Sequence, residues 1–216
     1  MAPSFSPVET RILGCLLEKE RVTPENYPLS LNALVAACNQ TTNREPIMSL
    51  DEKSVSKGLD DLRVKKLATM VWESGARVQK FRHNLFDIYH LGPRDSALLC
   101  VLMLRGAQTP GELRARTERL FAFRDTQDVE QQLAELAKGE GPLVRMVPPR
   151  PGQTEKRYVQ LLSGEPDDLE DFGAESVSPA SPSRYEELKS EMAALRTELA
   201  TLRGEFESFK NQFSSP

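Results

Sequence analysis

Residues 7–24, PVETRILGCLLEKERVTP, and residues 93–110, PRDSALLCVLMLRGAQTP, are two versions of one segment. At a shift of 86, Pro7, Leu13, Leu16, Thr23 and Pro24 coincide with Pro93, Leu99, Leu102, Thr109 and Pro110. Glu9, Ile12, Leu17 and Lys19 meet the similar residues Asp95, Leu98, Met103 and Arg105. The likeness resumes downstream, where Val55, Leu59 and Leu62 match Val129, Leu133 and Leu136 at a shift of 74, and Leu67, Met70 and Val71 match Leu143, Met146 and Val147 at 76. Two copies of one unit is the economical reading. The drop from 86 to 74 gives the first copy about twelve extra residues between Pro24 and Val55.

Each copy carries the same order of elements. Ser6-Pro7-Val8-Glu9 is a capping box with proline at the first helical position, and Ile12, Leu13, Leu16 and Leu17 recur at helical spacing. Thr109-Pro110-Gly111-Glu112 is a second such box; it opens a short helix containing Leu113, whose counterpart in the first copy is Leu29 to Cys38. Ser49-Leu50-Asp51-Glu52 caps a third helix with Val55, Leu59 and Leu62 on one face, and Asp125 caps its equivalent in the second copy. A hairpin pattern follows each third helix: Leu67–Trp72, a turn at residues 73–76 and Arg77–His83, then Leu143–Val147, a Pro/Gly loop and Lys156–Leu162. Three helices and a hairpin in so short a span is the order of a winged helix-turn-helix. The expected class is mainly α with small β-hairpins (α+β), with two winged helices in tandem over residues 1–90 and 91–162. Strands ahead of the helices and parallel crossovers, which a Rossmann or ferredoxin-like unit needs, are absent from the pattern.

The composition, 39% apolar and 28% charged, is that of a globular chain. No run approaches eighteen apolar residues, and Met1–Pro7 lacks the basic and apolar regions of a signal peptide, so the expectation is a cytoplasmic protein with no membrane association. Cys15, Cys38 and Cys100 each sit in apolar helical context and read as buried thiols. Charge is divided unevenly. Residues 1–162 hold 23 basic against 20 acidic side chains, and residues 163–216 hold 5 against 12, so the head is +3 and the tail −7. Residues 163–183 carry six acids, no base, three prolines and five serines, the signature of a disordered linker. As a flexible coil its ends lie on the order of 25 Å apart.

Beyond it, Tyr185, Leu188, Met192, Leu195, Leu199, Leu202, Phe206, Phe209 and Phe213 alternate spacings of three and four without a break. That is a coiled-coil seam over residues 184–213. Its flanks are sorted by sign: Glu191, Glu198 and Glu205 face Arg196, Arg203 and Lys210 of a parallel partner, whereas an antiparallel pair sets acid against acid. A parallel homodimer through this seam is therefore expected, the alternative being a helix folded back on its own head.

The run Leu29–Pro46, LSLNALVAACNQTTNREP, together with Leu13–Lys19 and Thr109–Arg114, resembles the bacterial YceH family, whose proteins have no assigned biochemical function. The likeness spans roughly residues 6–162. It implies the tandem winged-helix fold and no catalytic residues.

An enzyme or a metal sensor is not expected. His83 and His90 lie in or just after the first hairpin, no cysteine lies within four residues of another, and no phosphate-binding loop or nucleophile motif occurs. Asp60-Asp61 splay to different faces of a helix and make no acid/base dyad. No cofactor and no metal are expected. Two roles remain. In the first, the protein binds double-stranded DNA through the third helix of the first copy, with Lys53, Lys57 and Arg63 pointing outward, Arg77, Lys80 and Arg82 from the wing, and Asn43 and Arg44 from the extra segment. The third helix of the second copy carries Asp128, Glu130 and Glu135. There Arg114, Arg116, Arg145, Arg150, Lys156 and Arg157 are candidates for secondary phosphate contacts only. In the second role the winged helices clasp a protein partner, as in tandem winged-helix subunits of bacterial condensins, and do not bind DNA.

Overall fold

The computed structural model describes residues 5–72, 78–139, 141–149 and 155–164. The acidic linker beyond Gly164, the seam from Leu188 to Phe209 with any parallel pairing, and the hairpin residues Arg77 and Arg150 lie outside the described residues.

The architecture is mixed α+β, with helices covering two small antiparallel sheets. Helix α1 (Pro7–Val22) starts on a reciprocal cap in which Glu9 N–H donates to Ser6 Oγ (3.2 Å) and Ser6 N–H to Glu9 Oε2 (2.7 Å). A 3-10 turn, Pro24–Asn26, leads to β1 (Leu29–Ser30) and α2 (Leu31–Cys38), capped by Ser30. Helix α3 (Glu52–Val64) is capped by Asp51, whose Oδ1 accepts from Ser54 N–H at 2.8 Å. The hairpin β2 (Ala68–Val71) and β3 (Lys80–His83) follows, and β3 is the middle strand of a sheet ordered β1-β3-β2, with Leu29 and Met70 both opposite Phe81. A one-turn helix α4 (Leu85–Tyr89), too short to leave a periodic trace in the sequence, joins the copies.

The second copy repeats the plan as α5 (Pro93–Arg105), α6 (Pro110–Thr117), α7 (Thr126–Leu136), β4 (Val144–Val147) and β5 (Arg157–Gln160). In place of β1, Gln108 alone bridges Tyr158, exchanging N–H···O bonds of 3.0 and 2.8 Å.

The second helices pair as the sequence has them, Leu29–Cys38 with the helix after Thr109, but their caps do not align at the shift of 86. Thr109 caps α6, but Thr23 does not cap α2; that part is played by Ser30. The second helices therefore correspond at a shift of 79, and the twelve extra residues divide into seven ahead of α2 and five behind it. The two Thr-Pro pairs are alike in sequence only: each proline fixes φ for a helical first turn, one of a 3-10 turn and one of α6.

Both copies contribute to one continuous apolar core. Val55, Leu59 and Leu62 of α3 and Val129, Leu133 and Leu136 of α7 are buried, as the periodicity requires. The copies meet along α1 and α5. Their approach depends on Gly14, where a Cβ would stand 2.8 Å from Leu104 Cδ2 and 3.2 Å from Met103 Cβ. Cys100 packs against the same point, its Sγ 3.5 Å from Gly14 O, and burial pushes its thiol well above the ordinary pKa. The beginning and end of this body are tied together: Phe5 N–H donates to Leu162 O at 3.0 Å, and the hydroxyls of Thr10 and Ser163 lie 2.6 Å apart.

Candidate nucleic-acid interface

On α3, burying Val55, Gly58, Leu59 and Leu62 turns the opposite face to solvent. At 100° per residue that outward face carries Lys53, Lys57, Asp60 and Val64. Lys53 and Lys57 stand one turn apart, exposed, and neither has an ion-pair partner among the described residues. Arg63 lies on the flank toward the hairpin, where its Nη1 is 2.8 Å from Asp60 Oδ1. The helix as a whole is electrically balanced, since Glu52, Asp60 and Asp61 offset its three cations. Its positive field is local to Lys53 and Lys57. The Ser54 hydroxyl and amide bond the Asp51 carboxylate and hold it below the usual range, so a negative charge caps the first turn.

Alternation in the hairpin separates the other candidates. Phe81 and His83 of β3 are buried, which puts Lys80 and Arg82 on the outer face of the sheet. Arg82 is exposed and Lys80 is half-buried. These two cations therefore form a second positive spot, on a different surface from Lys53 and Lys57. The inner side of the hairpin continues past the core as Met70, Trp72 and Gln79. With Glu52, Ser56 and Arg63 of α3 and the start of α2 they line a cleft of about 680 Å³. Trp72 at the rim is 60% exposed and Val78 59%. Sequence reading passed over both, because a lone aromatic in a strand pattern reads as core.

The loop joining α2 to α3 does not behave as expected. Arg44 is an internal brace rather than a surface contact. Its side chain has no exposed area and donates to Ala37 O (3.1 Å), Asn43 O (3.0 Å), Gln40 Oε1 (2.9 Å) and both oxygens of Glu18 (3.0 and 2.7 Å). Burial works to raise the Glu18 pKa, but the hydrogen bonds and charge of Arg44, with Lys19 beside it, outweigh that and hold the carboxyl below its ordinary value. Asn43 remains exposed in the left-handed region (φ 59°), its Oδ1 accepting from Arg105 at 2.7 Å. Arg11 is a second buried guanidinium, donating to Cys38 O (2.9 Å) and Pro46 O. In sequence it is one polar residue inside an apolar helix face, with nothing nearby to mark what it binds.

In the second copy the candidate cations are largely paired within the chain. Lys156 lies 3.2 Å from Glu130, and Arg157 2.9 Å from Glu112 and from Ala107 O. Arg116 reaches Glu112 at 3.5 Å, Arg114 donates to Arg124 O at 3.4 Å, and Arg145 is half-buried on β4. The acids of α7 are matched in the same way. Asp128 is buried and held by Arg94 from α5, whose hydrogen bond lowers its pKa against burial, while Glu130 meets Lys156 and Glu135 meets Lys138 (2.7 Å). The repulsion expected of this helix is thus partly cancelled by its own side chains.

His83 is structural. Its Nδ1 accepts from Leu85 N–H (3.2 Å), so Nε2 carries the proton and faces Glu20 Oε2 at 3.1 Å, while Tyr27 Oη accepts from its backbone N–H (2.9 Å). Among the described residues no group of three or more His, Cys, Asp or Glu side chains is placed to hold a metal ion, and no helix is long and apolar enough to cross a membrane.

A family model described as "Protein of unknown function, DUF480" matches residues 5–153. A UPF0502 protein of Citrifermentans bemidjiense is 53% identical over 167 residues, 77% of this chain and 77% of its own. One from Vibrio atlanticus is 45% identical over 200 residues, 88% of this chain and 91% of its own. The UPF0502 protein YceH of Escherichia fergusonii is 45% identical over 194 residues, 87% and 90% of the two chains.

Proposed function

We propose that this chain, which belongs to the DUF480 family together with the UPF0502 proteins, is a non-enzymatic, cytoplasmic tandem winged-helix protein that binds double-stranded DNA. The observation that carries the reading is the pair Lys53 and Lys57: without an ion pair among the described residues, one turn apart, and directly opposite the buried stripe of the third helix of a three-helix-plus-hairpin unit. Two such ammonium groups neutralise adjacent phosphates and lay the helix along a groove, with Ser54 and Ser56 on either side as hydrogen-bonding groups. Arg82 and Lys80 on the outer face of the hairpin serve a neighbouring stretch of backbone. The second copy acts as a brace, with Arg116, Lys156 and Arg157 spent on Glu112 and Glu130. Parallel pairing through Leu188, Met192, Leu195, Leu199, Leu202, Phe206 and Phe209 presents two such heads to one duplex.

One observation favours a second reading, a winged-helix clasp for a protein partner. Trp72 and Val78 leave an apolar rim on the cleft beside α3, a feature that phosphate contact does not use. An electrophoretic shift with random duplex at low and moderate salt separates the two. A shift that weakens as salt rises supports the DNA reading. No shift at low salt, with Trp72→Ala abolishing co-purification of a partner, supports the clasp.

A further inference from the structure

A second cleft of the described residues lies where the copies meet. It is a cleft of about 740 Å³ between the C-terminal half of α1, the loop after α2, α5 from Cys100 to Arg105, the last turn of α6 and the residues just after it. The charge of its lining is one-sided: Lys19, Arg105, Arg116 and Arg119 stand against a single acid, Glu18, with Arg116 also 3.5 Å from Glu112 behind it. That acid is already committed, gripped by Arg44 and touched by Lys19 at 3.4 Å. Arg105 is the least satisfied of the four cations. Its Nη1 donates to Asn43, its Nε is shielded from solvent without a hydrogen-bond partner, and it has no carboxylate within ion-pair distance among the described residues. Burial and the nearby charge of Arg116 both disfavour its charged form. Arg119 is exposed and unpaired among the described residues.

The loop after α2 supplies the polar part of the lining and is hydrogen-bonded in place. Asn39 bonds both backbone groups of Leu50 (2.8 and 2.7 Å), Arg44 clamps the loop to α1, and Glu45 N–H donates to Leu104 O at 2.8 Å, so Gln40, Thr41 and Thr42 present amide and hydroxyl groups from a fixed frame. The floor, Val101, Leu104 and Leu120, is apolar. An electropositive end, polar walls and an apolar floor in a space of this size match a ligand with an anionic head and a flat, partly apolar body. A bare oxyanion is too small to reach all three.

We propose that this cleft binds a phosphate-bearing small molecule of nucleotide size, with Arg105, Arg116 and Arg119 on the phosphates and the residue 40–42 loop on the remainder. The site uses none of the residues assigned to DNA contact on α3 and β3, so it stands or falls apart from that reading. The same phosphate chemistry also occurs in a duplex backbone, and the test separates the two sources.

The full-length chain is titrated calorimetrically with ADP, with inorganic pyrophosphate, and with sodium sulfate at matched ionic strength. The expected result is saturable binding of ADP, weaker binding of pyrophosphate and none of sulfate. Arg119→Ala and Arg116→Gln, both surface changes that leave the core intact, each weaken ADP by about tenfold, the loss of one charge-assisted contact. Lys53→Ala leaves ADP binding unchanged. Absence of saturable binding up to about 10 mM of either phosphate overturns the site. So does equal binding of sulfate, or ADP binding indifferent to both arginine variants. A random duplex bound through Arg116 and Arg119 while ADP is not bound assigns the phosphates to DNA and overturns the small-molecule proposal.

Discussion

Replacing Arg44 with methionine removes the most heavily bonded side chain in the first copy and tests whether it is a brace or a surface contact. The substitution deletes hydrogen bonds to Ala37 O, Gln40 and Asn43 O and both bonds to Glu18. The Glu18 side chain is only 13% exposed, and among the described residues it is left with Lys19 at 3.4 Å as its ion-pair partner. Breaking one partner of such a buried pair costs about 3–5 kcal/mol, because the surviving charge stays desolvated. At roughly 2–4 °C per kcal/mol for a body of this size, the melting midpoint falls by on the order of 10 °C. Urea denaturation followed by circular dichroism measures the change directly, as a lower midpoint at constant slope. The double variant Glu18→Leu/Arg44→Met removes both charges, and replacing a buried pair by apolar residues is often neutral, so it recovers most of the loss. A single variant that loses less than about 1 kcal/mol, or a double variant no better than the single, refutes the buried brace. Unchanged stability with abolished DNA binding would return Arg44 to the surface.

Four further outcomes follow from the same geometry. The stabilisation lost in Glu18→Gln is fully present above the unfolded carboxylate pKa of roughly 4.3 and disappears as pH falls through the depressed folded value, so the melting curves of the two proteins converge in acid. Gly14→Ala destabilises, since overpacking against Leu104 and Met103 costs about 1–3 kcal/mol and exceeds the helix-propensity gain of about 1. Gly111→Ala on α6 stabilises by about 0.5–1 kcal/mol in thermal melts, because its Cβ meets nothing closer than Thr109 Oγ1 at 3.9 Å. For the heptad segment, Glu191→Lys/Glu198→Lys/Glu205→Lys sediments as a monomer alone and pairs with a chain whose Arg196, Arg203 and Lys210 are glutamates; a dimer untouched by the reversal rules these contacts out.

Local patterns in the sequence carried the helices and the hairpins. Ser6 with Glu9 and Thr109 with Glu112 form the reciprocal caps that their spacing announces, and the apolar positions of α3 and α7 are the ones buried. What the sequence hid was tertiary. Arg44 and Glu18 are 26 positions apart, Lys156 and Glu130 likewise, and Arg157 and Glu112 45 apart, so no local pattern marks these cations as paired. Without partners in view, every exposed-looking arginine reads as a contact for phosphate. The extra residues of the first copy were legible as a length difference, but their division around α2 was not. Thr23-Pro24 imitates Thr109-Pro110, and only the pairing of Leu29 with Phe81 shows that the chain first makes a strand. The cleft between the copies was illegible for a related reason: its cations come from α1, α5, α6 and the turn after α6, which the repeat brings together without any shared motif.

The central claim, that α3 of the first copy contacts the phosphate backbone, is tested most directly by the salt dependence of binding. Fluorescence anisotropy with a labelled random duplex, read across a series of salt concentrations, gives log K against log salt for the parent and for Lys53→Ala/Lys57→Ala. The account predicts measurable affinity at low salt, and a slope shallower by about two for the double variant, one unit for each lost ammonium contact. The contradicting result is an identical slope in the two proteins, or a parent that binds no duplex at the lowest salt.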